Sequence, residues 1–133
     1  MRGYLGPAAL KPRKRNAPRP EWKVADAFRK WLRGRPCACQ GRNPDCAGPM
    51  RSAHVDYAAK GTPDAKGAGS KVADRWCIPL TDACHRLQHD KGWPWFDERM
   101  LGGVGRGAIL AAAYWQAWPG RASWEREQAV ANG

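Results

Sequence analysis

Every cysteine and histidine of this 133-residue chain falls between positions 37 and 89. Thiolates and imidazoles are the side chains that zinc and related metals prefer in proteins. Residues of these types that cluster in sequence commonly share a site. The segment therefore predicts metal chemistry, carried by Cys37, Cys39, Cys46, His54, Cys77, Cys84, His85 and His89.

The cysteines indicate a structural zinc site. Cys37, Cys39 and Cys46 follow one another in a turn-rich loop, a pattern typical of a zinc knuckle. Structural zinc takes four ligands, and we assign the fourth to Cys84. Cys77 lies in an apolar stretch, which favours a small buried hydrophobic residue. The alternatives are a tetrad with Cys77 in place of Cys39, and reduced thiols that bind no metal.

The histidines indicate a second centre. His85 and His89 are four residues apart in a predicted helix, so one helical face carries both. His54 lies in a stretch of alternating polar and apolar residues, which predicts a strand with His54 and Asp56 on one face. Each histidine alone is an ordinary structural residue. Their order along the chain favours a shared functional site.

The elements that would position these residues follow one another in the order strand, loop, strand and helix. We predict strands over residues 51–57 and 72–80, and a short helix that Thr81 or Asp82 caps, that runs to Asp90 and that Gly92 ends. Further helices are predicted over residues 20–34, 104–118 and 123–131. The expected fold class is α+β. It comprises a flexible basic arm over 1–20, a zinc-stabilised domain over 21–100 and a helical extension over 101–133.

The blocks that carry the histidines resemble the HNH endonucleases, and more narrowly the phage and prophage branch that includes the Ref-type recombination nucleases. The resemblance covers about residues 36–96 and implies a small ββα-metal core with a structural zinc loop and flanking helices. The matching residues are Ala53-His54-Val55, Gly69-Ser-Lys71-Val-Ala-Asp74-Arg-Trp76, Ile78-Pro79-Leu80, Cys84-His85 and Gln88-His89-Asp-Lys-Gly92.

The resemblance implies a role for each histidine. His54 would be the general base that deprotonates the attacking water, a task that suits a side chain exchanging a proton near neutral pH. His85 and His89 would hold one divalent ion, Mg²⁺ or Mn²⁺. Such an ion neutralises charge on the phosphate and on the departing 3′ oxygen. The product would therefore carry a 5′ phosphate.

Two positions depart from the family pattern. Ala53 stands directly before the base, where relatives commonly carry an acid or histidine that also binds the ion. The ion then needs another oxygen ligand, for which Asp74 is the first candidate and Asp56 the second. A turn cap or an ion pair is the alternative role for Asp74. Thr81 stands where many relatives have a cysteine, and Cys84 can supply that ligand instead.

The charge distribution predicts a nucleic-acid partner. The net charge is +11, and residues 1–35 alone hold eleven Lys/Arg and two acids, a balance of +9. A basic arm on a nearly neutral body suits a polyanion. DNA is the partner that the resemblance implies. The candidate DNA contacts are Lys11, Arg13, Lys14, Arg15, Lys71 and Arg86.

The resemblance implies metal-dependent hydrolysis of DNA in phage or prophage recombination or processing, with a recombination protein as a further partner. One alternative is a non-catalytic, zinc-stabilised DNA-binding module such as a recombination accessory protein; another is an RNA-binding protein. No segment is apolar enough to span a membrane, and the first ten residues lack the apolar stretch of a secretory signal. We therefore expect a cytoplasmic protein of a bacterium or a phage-infected cell.

Overall fold

The computed structural model describes residues 21–65 and 72–132. This part of the chain combines two β-strands with five α-helices, which confirms a mixed α+β fold. The elements are α1 (Asp26–Leu32), β1 (Met50–His54), β2 (Cys77–Thr81), α2 (Asp82–Lys91), α3 (Trp93–Met100), α4 (Arg106–Ala117) and α5 (Arg121–Asn132). None of the helices in these two ranges is both long and apolar enough to cross a membrane.

β1 and β2 pair in an antiparallel sheet whose register sets Met50 opposite Thr81 and His54 opposite Cys77. All five residues of β2 are buried, as expected for a strand covered on both faces. The helix α2 follows β2 without a connecting loop. His54, the last residue of β1, lies opposite Cys77, the first residue of β2.

Both strands are shorter than predicted. A 3₁₀ turn over Asp56–Ala59 follows β1, and another over Asp74–Trp76 precedes β2. The backbone N–H of Val55 still donates to the Trp76 carbonyl at 2.8 Å. The two tight turns thus end the strand pairing at His54 and Cys77. An alternating pattern of side chains does not reveal this change from extended to 3₁₀ backbone.

The first helix begins later than predicted. Residues Glu21–Lys23 form a 3₁₀ turn, and α1 begins at Asp26. Between them, the backbone N–H of Ala25 donates to Asp74 Oδ2 at 2.8 Å instead of entering a helical ladder. A contact between residues 49 positions apart therefore sets the start of this helix.

The limits of α2 agree with the prediction. Thr81 precedes the helix, and its Oγ1 accepts a hydrogen bond from the Cys84 N–H at 3.3 Å. Such a cap satisfies one of the free N–H groups of the first turn. Gly92 ends the helix at φ 87°, a conformation that glycine adopts without steric cost.

Two clusters of buried side chains form the core. One joins the sheet to α2, α3 and the cysteine loop, and the other packs Phe28 and Leu32 of α1 against Trp115 and Trp118. The helix α4 contributes Ala111 to the first cluster and Trp115 to the second. The segment after residue 100, predicted as an extension, therefore supplies one helix of the folded core.

A buried hydrogen-bond network fixes the start of α4. Asp97, which is buried, accepts from Tyr57 Oη and from the Gly107 N–H. Tyr57 Oη in turn accepts from the Ala108 N–H at 3.2 Å. Burial raises the pKa of Tyr57, and its bond to Asp97 raises it further, so the phenol stays protonated and donates to the carboxylate.

Candidate functional site

The four cysteines of the predicted zinc site lie together. The Sγ atoms of Cys37, Cys39, Cys46 and Cys84 are all within 4.8 Å of one another. Tetrahedral zinc with Zn–S bonds of about 2.3 Å separates its sulfurs by roughly 3.8 Å. Three of the ligands come from one loop and Cys84 comes from the first turn of α2. These cysteines are placed to hold a structural metal ion such as zinc.

Hydrogen bonds around the sulfurs suit thiolate ligands. The Thr81 N–H points to Cys37 Sγ at 3.3 Å, and Asn43 Nδ2 points to Cys84 Sγ at 3.2 Å. Thr81 Oγ1 lies 3.2 Å from Cys46 Sγ. Donors of this kind orient metal ligands and spread their charge. Thr81 thus contacts the cluster without being a ligand.

The thiols have different proton affinities. Burial raises the pKa of Cys84, and it also raises that of Cys37. At Cys39, burial acts in the same direction, but hydrogen bonds from the backbone at Asn43 and Gly41 and with the Cys46 and Cys37 side chains together lower the pKa to about 7. A metal ion must displace the protons from the buried thiols, so its affinity depends on pH.

Cys77 lies apart from this cluster. It is fully buried, and its Sγ groups instead with ligand atoms of His54 and Asp74, all within 4.8 Å. The side chain packs in the aromatic cluster of α1 and α4. The rival tetrad with Cys77 in place of Cys39 is therefore wrong for this structure, and the interpretation of Cys77 as a core residue agrees with its burial.

The three histidines line one cavity of about 580 Å³. His54 reaches it from the end of β1, and His85 and His89 reach it from α2. The structure thus brings together the predicted base and the predicted ion ligands. The cavity is lined by Arg29, Arg33, Arg51, Ser52, His54, Asp56, His85, Gln88, His89, Gly92 and Trp93.

His54 is held by a buried carboxylate. Its Nε2 lies 2.8 Å from Asp74 Oδ1, and the Asp74 side chain is fully buried. The carboxylate favours the tautomer with a proton on Nε2, which leaves a lone pair on Nδ1. A histidine oriented in this way can accept a proton from a group in the cavity.

His85 and His89 lie side by side at the cavity. Their Nε2 atoms lie 3.1 Å apart on successive turns of α2. Two nitrogens bound to one ion at about 2.1 Å are separated by roughly 3.0–3.4 Å, depending on the angle between the bonds. Burial lowers the pKa of His85, and the neighbouring His89 lowers it further. The neutral imidazole that results is the form that binds metal.

The structure does not bring Asp74, the first candidate for the oxygen ligand, together with the histidine pair. Its fully buried carboxylate contacts His54 and the Ala25 N–H. Asp74 is not among the residues that line the cavity, whereas the second candidate, Asp56, is exposed there. An alternation of polar and apolar residues does not reveal the 3₁₀ turn that buries Asp74. The sequence therefore did not identify His54 as the partner of the Asp74 carboxylate.

The arginines of the cavity were not among the predicted site residues. Arg29 lies in α1, Arg33 is the residue that caps the end of α1, and Arg51 lies in β1. The i,i+4 spacing of Arg29 and Arg33 in a predicted helix was the available signal, because it puts both on one helical face. The direction of that face depends on how α1 packs against the sheet, which helical spacing does not specify.

The predicted DNA contacts fall in different places. Arg86 is 79% exposed and pairs with Asp82 at 3.1 Å, and it does not line the cavity. Lys71 lies outside the described residues, as do Lys11, Arg13, Lys14 and Arg15.

Comparison with protein-family models, with curated proteins and with solved structures gives no match for this chain.

Proposed function

We propose that this protein is a metal-dependent endonuclease that hydrolyses phosphodiester bonds of DNA by HNH-type chemistry. The observation that carries the proposal is one cavity with His54, braced by Asp74, on one wall and the His85–His89 pair on another. Arginines border the same cavity, so a polyanion meets positive charge there.

The protein residues divide the work. His54 takes the proton of the attacking water through Nδ1, because Asp74 occupies Nε2. As the imidazole gains this proton it becomes positive, and the buried Asp74 carboxylate stabilises that charge. Asp74 is thus a positioning residue that acts through His54. His85 and His89, on α2, would hold a divalent ion.

The donor set of the histidine pair fits a divalent ion. The Nε2 separation of 3.1 Å suits one shared ion, and exposed Asp56 lines the same cavity, although its carboxylate does not lie within 4.8 Å of both histidine nitrogens. When bound, the ion supplies neutralisation of negative charge on the phosphate and the leaving oxygen. Mg²⁺ and Mn²⁺ are the expected ions. Imidazole nitrogens also suit Ni²⁺, which belongs in any comparison.

The test is cleavage of supercoiled plasmid by the purified protein with Mg²⁺, Mn²⁺ or Ni²⁺, and with chelator added just before the DNA. We expect metal-dependent nicking that His54→Ala lowers by about 100-fold or more, the usual scale for loss of a general base. The products should carry 5′ phosphates. Cleavage by His54→Ala at the wild-type rate refutes the proposed mechanism.

One observation favours a second candidate, a non-catalytic zinc-stabilised DNA-binding module. Ala53, at the position where HNH relatives commonly carry an ion ligand, is buried in the core and offers no donor atom. A protein that binds DNA but never nicks it with any of the three ions supports this candidate. A nick that depends on His54 excludes it.

A further inference from the structure

Two arginines that line the cavity, Arg29 in the last turn of α1 and Arg33 at its C-cap, share one hydrogen-bond acceptor. Arg29 Nε donates to Ser52 Oγ at 2.8 Å, and Arg33 Nη1 donates to the same oxygen at 3.4 Å. In the described ranges, neither guanidinium forms an ion pair with a carboxylate. Two positive groups are therefore held together on one neutral hydroxyl. An anion placed between them would stabilise the arrangement.

The third arginine of the cavity differs. Arg51 Nε lies 3.2 Å from Asp82 Oδ1, and the other oxygen of that carboxylate pairs with Arg86, so Arg51 shares one carboxylate with a second arginine. Among the three arginines that line the cavity, Arg29 and Arg33 are thus the two that form no ion pair within the described residues. Arg29 is half-buried and Arg33 is exposed, so one is fixed by packing and the other is open to solvent.

The position of Ser52 relates the arginines to the base. Ser52 and His54 are two residues apart in β1, so their side chains leave the same face of the strand. Two residues of a strand span about 7 Å. This offset places the arginines beside the reaction centre, within reach of a neighbouring phosphate on the same strand.

We propose that Arg29 and Arg33 form an arginine clamp for the phosphate next to the scissile one. This inference deepens the proposed nuclease function and rests on it for the identity of the scissile phosphate. The clamp is built by α1, which precedes the cysteine loop and both strands. Guanidinium groups suit the task because their forked N–H donors match phosphate oxygens, and the hydroxyl of Ser52 orients both before the substrate arrives.

The test measures binding separately from cleavage. In a His54→Ala background, the affinity for a labelled oligonucleotide is titrated over a range of salt concentrations. Arg29→Gln and Arg33→Gln should each weaken binding by about tenfold, the scale of one charge-assisted hydrogen bond. Each should also reduce the slope of log K against log salt by about one. Arg29→Lys keeps the charge without the fork, so its affinity should fall between those of the wild type and Arg29→Gln.

The matched control is Lys30→Gln. Lys30 is exposed on the same helix and does not line the cavity, so its loss removes an equal charge without touching the clamp. In the active protein, the clamp variants should raise KM and leave kcat within about threefold, because they affect substrate binding and not the transition state. Zinc content and circular dichroism check that the variants fold. If Arg29→Gln does not fold, the Arg33→Gln variant still tests the clamp, because Arg33 is exposed and its replacement should not disturb the core.

The outcomes separate the two proposals. If Arg29→Gln and Arg33→Gln bind DNA like Lys30→Gln, or if they lower kcat with unchanged affinity, the arginine clamp is refuted. If the wild type binds DNA with a clamp-dependent salt slope but never nicks it, the nuclease function is refuted, and the two arginines remain a phosphate-binding site.

Discussion

Replacing Asp74 by asparagine tests the link between the fold and the proposed chemistry. The amide would keep the shape of the side chain but offer one acceptor oxygen and one NH₂ donor group. Asp74 now accepts from His54 Nε2 with one oxygen and from the Ala25 N–H with the other, both at 2.8 Å. An amide cannot accept from both partners at once through separate oxygens, so one of the two contacts must change.

Each arrangement of the amide has a distinct cost. If its oxygen accepts from Ala25, its NH₂ faces His54 Nε2, and the histidine must move its proton to Nδ1. The lone pair that accepts the proton of water is then lost. If the oxygen faces His54, two N–H donors meet at Ala25, which costs about 1–3 kcal/mol for a buried unsatisfied group. We expect the first arrangement, with nicking reduced by about 10²–10⁴-fold.

The assay is single-turnover nicking of plasmid DNA at saturating metal ion, with unfolding by urea measured in parallel. The matched control is Asp64→Asn. Asp64 accepts from Trp76 Nε1 at 3.0 Å but does not contact His54, so this variant should nick within about threefold of wild type. DNA affinity should be unchanged in both variants. A folded Asp74→Asn protein that nicks at the wild-type rate would refute the role of Asp74.

Three further predictions concern other parts of the chain. Elemental analysis should find about one zinc per chain, lost in Cys37→Ser but retained in Cys77→Ala, because Cys77 lies outside the tetrad; equal loss in both refutes the assignment. Tyr57→Phe should lower the free energy of unfolding in urea by about 1–3 kcal/mol, because it removes the phenol donor to buried Asp97, while nicking at saturating substrate stays unchanged; unchanged stability contradicts this. Deleting residues 1–20 should weaken DNA binding equally for all sequences and flatten its salt dependence; an unchanged slope would show that the arm does not bind phosphate.

Much of the candidate site follows from local sequence. The spacing of His85 and His89 puts both on one face of any helix, and Thr81 and Gly92 are residues that begin and end helices. The predicted limits of α2 are accordingly confirmed. The cysteine cluster could be assigned because metal coordination accepts few side chains, and the selected tetrad is the one that the structure brings together.

The parts that sequence could not supply depend on long-range contacts. Asp74 lies 20 residues from His54 and 49 from Ala25, yet it contacts both. Its role as the partner of His54 arises because a 3₁₀ turn brings its carboxylate next to His54, and no local pattern encodes that position. Arg29 and Arg33 reach the cavity for the same reason: helical spacing puts them on one face, but only packing against the sheet turns that face towards Ser52 and His54.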